Sequence, residues 1–223
     1  MSVIRPKFHR FFVSNIAFIK YNNTIIKVML KMNMPKSKIK KNSGPSAIFL
    51  FGFLFATILF VVCVIARPES LGHNDGLSYF GAVWWTLVPY TIAFLTYAIC
   101  CFVSFKKIKP TSASAKAIKI LLLIMTIALV GLTVTPHTII GGLHKIFGSS
   151  LFASQLVLAL YLLYKNGMNY FIFVLILIMF VSGIFSAAFL NTPSGFMIQA
   201  QIIYQTAFVA VLYFYLRRIK KLK

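Results

Sequence analysis

A chain of 223 residues that is 60% apolar and 11% charged, with a mean hydropathy of +0.88, has too little polar side chain to cover a soluble domain, so lipid is the solvent for most of it. Lys and Arg number 23 against 2 acids, a net charge of +21, yet these cations stand between the apolar runs instead of within them, which argues against a nucleic-acid partner. Cys63, Cys100 and Cys101 all fall inside apolar runs; an odd number without extracellular spacing excludes a disulfide framework, and they read as small buried hydrophobes.

Residues 1–45 read as a basic N-terminal extension. Met1 to Lys41 carry ten Lys/Arg and no acid, and Phe8, Phe11, Phe12, Ile16 and Ile19 recur at helical spacing, the pattern of an amphipathic helix lying in the cytoplasmic headgroup layer. A basic tail without fixed structure is the alternative, and translation from Met29, Met32 or Met34 is a third. The apolar part is short, is interrupted by Ser14 and Asn15 and lacks a small-residue cleavage site, which argues against a cleaved signal.

Residues 46–216 then hold six apolar stretches, about Ser46 to Ala66, Ala82 to Val103, Ala117 to Thr135, Ile146 to Tyr164, Met168 to Leu190 and Met197 to Leu216. Each is close to the ~20 residues that cross a hydrocarbon core as a helix. Where no water reaches the backbone, its polar groups are satisfied within each segment, so continuous runs of this length are helices and not barrel strands. The expected fold is an all-α bundle of six transmembrane helices, followed by a basic tail at 217–223.

Of the 23 cations, 21 fall on one side of these spans: the ten of the extension, Lys106, Lys107, Lys109, Lys116, Lys119, Lys165, and the five of the tail. Only Arg67 and Lys145 fall on the other. This asymmetry predicts cytoplasmic termini, and it makes membrane lipids, the anionic ones of the cytoplasmic leaflet included, the expected partners. It also gathers the chemistry on the outer face, because both acids, Glu69 and Asp75, and three of the four histidines, His73, His137 and His144, belong to the two outer loops. The spans contain no Asp, Glu, Lys or Arg except Lys119, which is close enough to the inner boundary to snorkel, so a mechanism that needs an ionisable group at the midplane is disfavoured.

The segment Arg67 to Gly81 leads into the second span. Asp75 or Ser78 would cap that helix, with Tyr79, Trp84 and Trp85 anchoring it at the interface; alternatively His73, Asp75 and Ser78 face a polar mouth. Further on, Pro136 ends the third span, Gly141 and Gly142 permit a tight turn, and Gly148, Ser149, Ala153 and Ser154 offer the fourth span a small-residue packing surface. His137 and His144 are seven apart, ~10.5 Å of rise on a continuous helix, too far to share a metal unless the glycines break it. With a break they would converge and, joined by His73 or Asp75, form a zinc-like set; otherwise they bond backbone carbonyls or headgroups. Haem is disfavoured, since no span interior contains a histidine. Gln155, Gln201 and Gln205 are the notable polar groups inside spans, the last two on one face at i and i+4, suited to bonds between helices or to lining a polar cavity. Ser182, Gly183, Ser186 and Ala187 form small-residue pairs for a seam within the bundle.

The motif Ser78-Tyr79-Phe80-Gly81 opening the second span, and Pro136 with His144 and then Leu151-Phe152 around the third outer turn, resemble a family of six-span predicted membrane proteins of bacteria and archaea, itself similar to the eukaryotic DRAM and Frag membrane proteins. The resemblance covers about Ser46 to Leu216. It implies the six-helix architecture and a prokaryotic source, and with that source a cell inner membrane; it implies no activity. Many members carry an acid just after the proline, where this chain has His137.

Three functions are open to such a chain. The first is a non-catalytic membrane role in which the outer loops bind a lipid or small ligand through His73, Asp75, His137 and His144, without a cofactor. The second is a metal-assisted lipid hydrolase, in which His73, His137 and His144 hold zinc and Asp75 or Glu69 handles the proton. The third is a facilitator for a small solute along Gln155, Gln201 and Gln205.

Overall fold

The computed structural model describes residues 44–73, 75–135, 141–188 and 196–221, without the side chains of 187, 188 and 219–221. The basic extension, Pro136, His137 and the connection at 189–195 lie outside the described residues. Among those described the chain is all α-helical, with no strand. The long helices are α1 (Pro45–Ala66), α2 (Trp84–Lys107), α3 (Ala113–Val134), α4 (Gly141–Asn166), α5 (Tyr170–Ala188) and α6 (Met197–Lys221). Five of them, all but α5, are long and apolar enough to cross a membrane. α5 has 19 residues, a rise of about 28 Å against a hydrocarbon core of ~30 Å.

The helix starts lie upstream of the first apolar residue where a local signal favours it. Pro45 occupies the first turn of α1, where a missing N–H costs nothing. Ser112 caps α3 by accepting from the Ala115 N–H at 3.1 Å, so that helix begins at Ala113 and not at the Ala117 expected from hydropathy. α4 is described from Gly141 onward; the two glycines lie within its first turn and do not break it, and His144 stands in that turn and not in a loop.

Packing follows the helical period. On α1, Phe49, Gly52, Ala56, Phe60 and Cys63 form one buried stripe against α2, while Ile58 and Ile65 on the other side are exposed. α1 and α2 run antiparallel: Gly52 lies beside Cys100, Phe60 makes an edge contact with Phe94 at 5.3 Å between centroids, and the Cys63 thiol reaches the Thr86 carbonyl. A Cβ on Gly52 would stand 2.5 Å from the Cβ of Cys100, so glycine is what allows the two backbones to approach here. α3 and α4 are antiparallel through Gly131, on which the Phe147 ring lies, and through Asn166, which donates to Ser114 at the opposite end. α6 runs parallel to α4; Tyr204 donates to the Phe152 carbonyl at 2.6 Å and Tyr215 to that of Leu162 at 3.2 Å. α5 lays Ile172, Ile176, Met179 and Ser182 on α6, with Gly183 beside the ring of Tyr204.

Large apolar side chains elsewhere point outward, Ile120 and Val157 at 60% and 66% exposure among them, as suits helices bathed in lipid. The alternation of the helices collects Lys106, Lys107, Lys109, Lys116, Lys119, Lys165, Arg217 and Arg218 at one end of the bundle, the lysine end. The connection between α1 and α2 and the first turns of α4 and α6 lie at the other, the Ser78 end.

Candidate functional site

The connection from α1 to α2 is built of short turns instead of an extended loop. A 3-10 turn, Pro68–Gly72, is followed by a second, Gly76–Ser78, and by a single helical turn, Tyr79–Ala82. Thr86, fully buried, donates its hydroxyl to the Phe80 carbonyl at 2.8 Å and so fastens this turn to the start of α2. Gly76 takes φ +59, a left-handed conformation that turns the chain, and its Cα lies against the amide of Gln201 on α6. That amide oxygen accepts from the Leu77 N–H at 2.9 Å. The next residue, Ser78, is thereby held in place from two sides.

Ser78 donates to no cap. Neither its side chain nor that of Asp75 bonds the helix it precedes, so the expected capping role is not what these residues do. The Ser78 Oγ lies 2.7 Å from Nε2 of His144, and the other ring nitrogen, Nδ1, lies 2.6 Å from the Thr135 carbonyl. A carbonyl only accepts, so Nδ1 carries the proton; the Nε2 of the neutral ring is then an acceptor, and the serine hydroxyl is its donor. Thr135 is itself buried, its hydroxyl bonded back to Gly131 at 2.6 Å. His144 is 4% exposed.

Ser78, His144 and Gln201 stand in the wall of a cavity of about 610 Å³ that reaches from the Ser78 end down between the helices. Thr57, Asp75, Lys145, Ser149, Ser186 and Gln205 add to its polar wall; most of the rest is apolar, from Phe60 and Val64 on α1 to Leu132 and Phe152 across from them. Along α1 the lining runs from Ile65 down to Phe53, about 18 Å at 1.5 Å per residue, which is roughly one leaflet of a ~30 Å core. Of the small residues expected to pack α4, Gly148 and Ser149 line this space instead and Ala153 is exposed, while Ser154 is part-buried. Two hydroxyls in the wall, Tyr97 Oη at the foot of the cavity and Ser186 Oγ toward the Ser78 end, are buried without a hydrogen-bond partner. Below Phe53 and Tyr97 the lysine half is filled by Phe49, Ile118, Leu122, Leu162 and Leu212.

The other expected site residues are dispersed. His73 is exposed and stacks on the Tyr79 ring at 4.3 Å; Glu69 pairs with Arg67 at 3.2 Å outside the cavity. Gln155, fully buried, exchanges two hydrogen bonds with Gln205, at 3.2 and 3.1 Å, tying α4 to α6. Among the described residues no three His, Cys, Asp or Glu groups converge on a point that could hold a metal, and His137 is outside them. Sequence reasoning passed over Tyr97 and Thr135: the first was one aromatic among many in a span, though a hydroxyl in lipid is a signal, and the second acts through a carbonyl that every residue has.

Comparison of the chain with family models, with curated proteins and with solved structures found no match in any of the three.

Proposed function

We propose that this is a six-span membrane protein, both termini cytoplasmic in a cell inner membrane, which takes one acyl chain of an outer-leaflet lipid into the cavity below Ser78. The observation that carries this is the cavity itself: an apolar shaft about one leaflet deep, headed by polar groups. An acyl chain gains by leaving its headgroup among Asp75, Ser78, His144 and Lys145 while its methylenes meet Phe60, Phe94 and Phe152. The unpartnered Tyr97 hydroxyl at the shaft's foot gives a polar stop. Asp75 and Lys145, both exposed and lining the cavity at the Ser78 end, supply one charge of each sign, the complement of a zwitterionic headgroup. α5 is the sixth span, its 19 residues matched to the core by a small local thinning. The cations of the lysine end face the cytoplasmic leaflet, whose anionic headgroups they attract at about 1 kcal/mol each near the surface. A solute facilitator is supported less, because the lysine half of the bundle is packed.

The test is photo-crosslinking in vesicles of phosphatidylcholine carrying a diazirine near the end of one acyl chain. Adducts are expected on cavity residues such as Tyr97 and Phe94. Gly148→Phe should reduce them several-fold, since the first added atom meets nothing nearer than 3.9 Å and the ring then fills the shaft. Adducts confined to outward residues such as Ile120 and Ile127, equal in both proteins, would refute the proposal.

A further inference from the structure

We propose that Ser78 is a nucleophile and His144 its general base, and that the pair cleaves an acyl ester of the lipid seated in the cavity; this rests on the lipid-binding reading above. Four observations converge on it. The serine Oγ and the imidazole Nε2 are 2.7 Å apart, within the range for proton transfer. The imidazole is held in the one tautomer that leaves Nε2 basic, by the Thr135 carbonyl at 2.6 Å, which does for this ring what an orienting carboxylate does in other serine–histidine pairs. Ser78 is in the cavity wall and only partly buried, beside the space a lipid would occupy. Finally, the Gln201 amide is fixed against Gly76 and Leu77, just before Ser78 in the chain, with its oxygen engaged by the Leu77 N–H, so that its NH₂ group remains as a donor in the same wall.

The reaction balances with water as the only co-reactant. The Oγ of Ser78 attacks the ester carbonyl carbon as its proton passes to His144 Nε2, and the carbonyl oxygen takes up the negative charge, stabilised by the Gln201 NH₂. Collapse breaks the bond to the alkoxy oxygen, which leaves as the alcohol with the proton from His144. Water then attacks the acyl-serine, gives one proton back through His144 to the serine oxygen, and frees the carboxylic acid. Neither metal ion nor redox partner is required. A backbone carbonyl supplies the orienting acceptor, so the pair needs neither Asp75 nor Glu69.

A long-chain alkyl fluorophosphonate tests this on the full chain in lipid nanodiscs, since it transfers its phosphonyl group to activated serines and spares ordinary ones. Intact mass and peptide mapping should find one adduct per chain, on Ser78. Ser78→Ala, which removes a single oxygen, should abolish it. His144→Asn keeps an N–H where Nδ1 bonds the Thr135 carbonyl and removes the base, so labelling should slow at least ~100-fold. Ser150→Ala, an exposed serine of the same helix outside the cavity lining, should label at the wild-type rate. An unlabelled wild type, an adduct on another residue, or an undiminished rate in His144→Asn overturns the proposal. If the photolipid enters the cavity of a chain that the fluorophosphonate leaves unmodified, the chemistry fails and the lipid-binding reading stands; a phosphonylated chain with an empty shaft would instead remove the lipid.

Discussion

Gly76→Ala tests how the Ser78 turn is held. The residue sits at φ +59, where a side chain costs about 1–2 kcal/mol, and the new Cβ would stand 2.5, 2.7 and 2.8 Å from the three amide atoms of Gln201. That amide must swing away and loses its bond from the Leu77 N–H, about 1 kcal/mol more. The expected loss is therefore about 2–3 kcal/mol, measured as unfolding free energy by SDS titration in mixed micelles. Gly72→Ala is the control: it lies in the same connection, its φ is not positive, and its added Cβ meets nothing within 4 Å, so its cost should stay within ~0.5 kcal/mol. The clash and the strain separate in the double variant Gly76→Ala/Gln201→Ala, in which the clash is relieved and the two losses sum to less than their parts. If Gly76→Ala costs no more than Gly72→Ala, the left-handed turn and its contact with α6 are not what holds Ser78.

Two further outcomes follow from the same contacts. Gln155→Leu and Gln205→Leu should each destabilise by about 1–2 kcal/mol while the double variant costs less than their sum, because each single change strands a buried amide; additive losses in a double-mutant cycle would mean the pair is not bonded. For the orientation, cysteines at Gly72 and Asp75 should react with an impermeant maleimide in intact cells, whereas cysteines at Lys107 and Lys165 should react only after lysis; labelling at Lys107 in intact cells would invert the topology.

The helices were legible in the chain because a membrane helix is specified locally: about twenty apolar residues must satisfy their own backbone, whatever surrounds them. The stretches from Ser46, Ala82, Ala117, Ile146, Met168 and Met197 all correspond to observed helices, and the errors were at ends, where one hydroxyl at Ser112 or the start of α4 at Gly141 outweighs hydropathy. Lys/Arg counting was likewise legible, since it depends only on which loops the cations occupy. Which polar residues meet was not. His73, Asp75 and His144 share an end of the bundle by topology, but His73 turns to Tyr79 while His144, 66 residues from Ser78, is brought onto it. That pairing depends on the left-handed turn at Gly76, on Gln201 reaching across from α6 and on the carbonyl where α3 ends, three features that carry no mark in composition or spacing. The cavity is of the same kind: an apolar stripe reads alike whether it faces a neighbouring helix, lipid or an enclosed space, and only the separation between α1, α4 and α6 makes it a shaft and makes Tyr97 its floor.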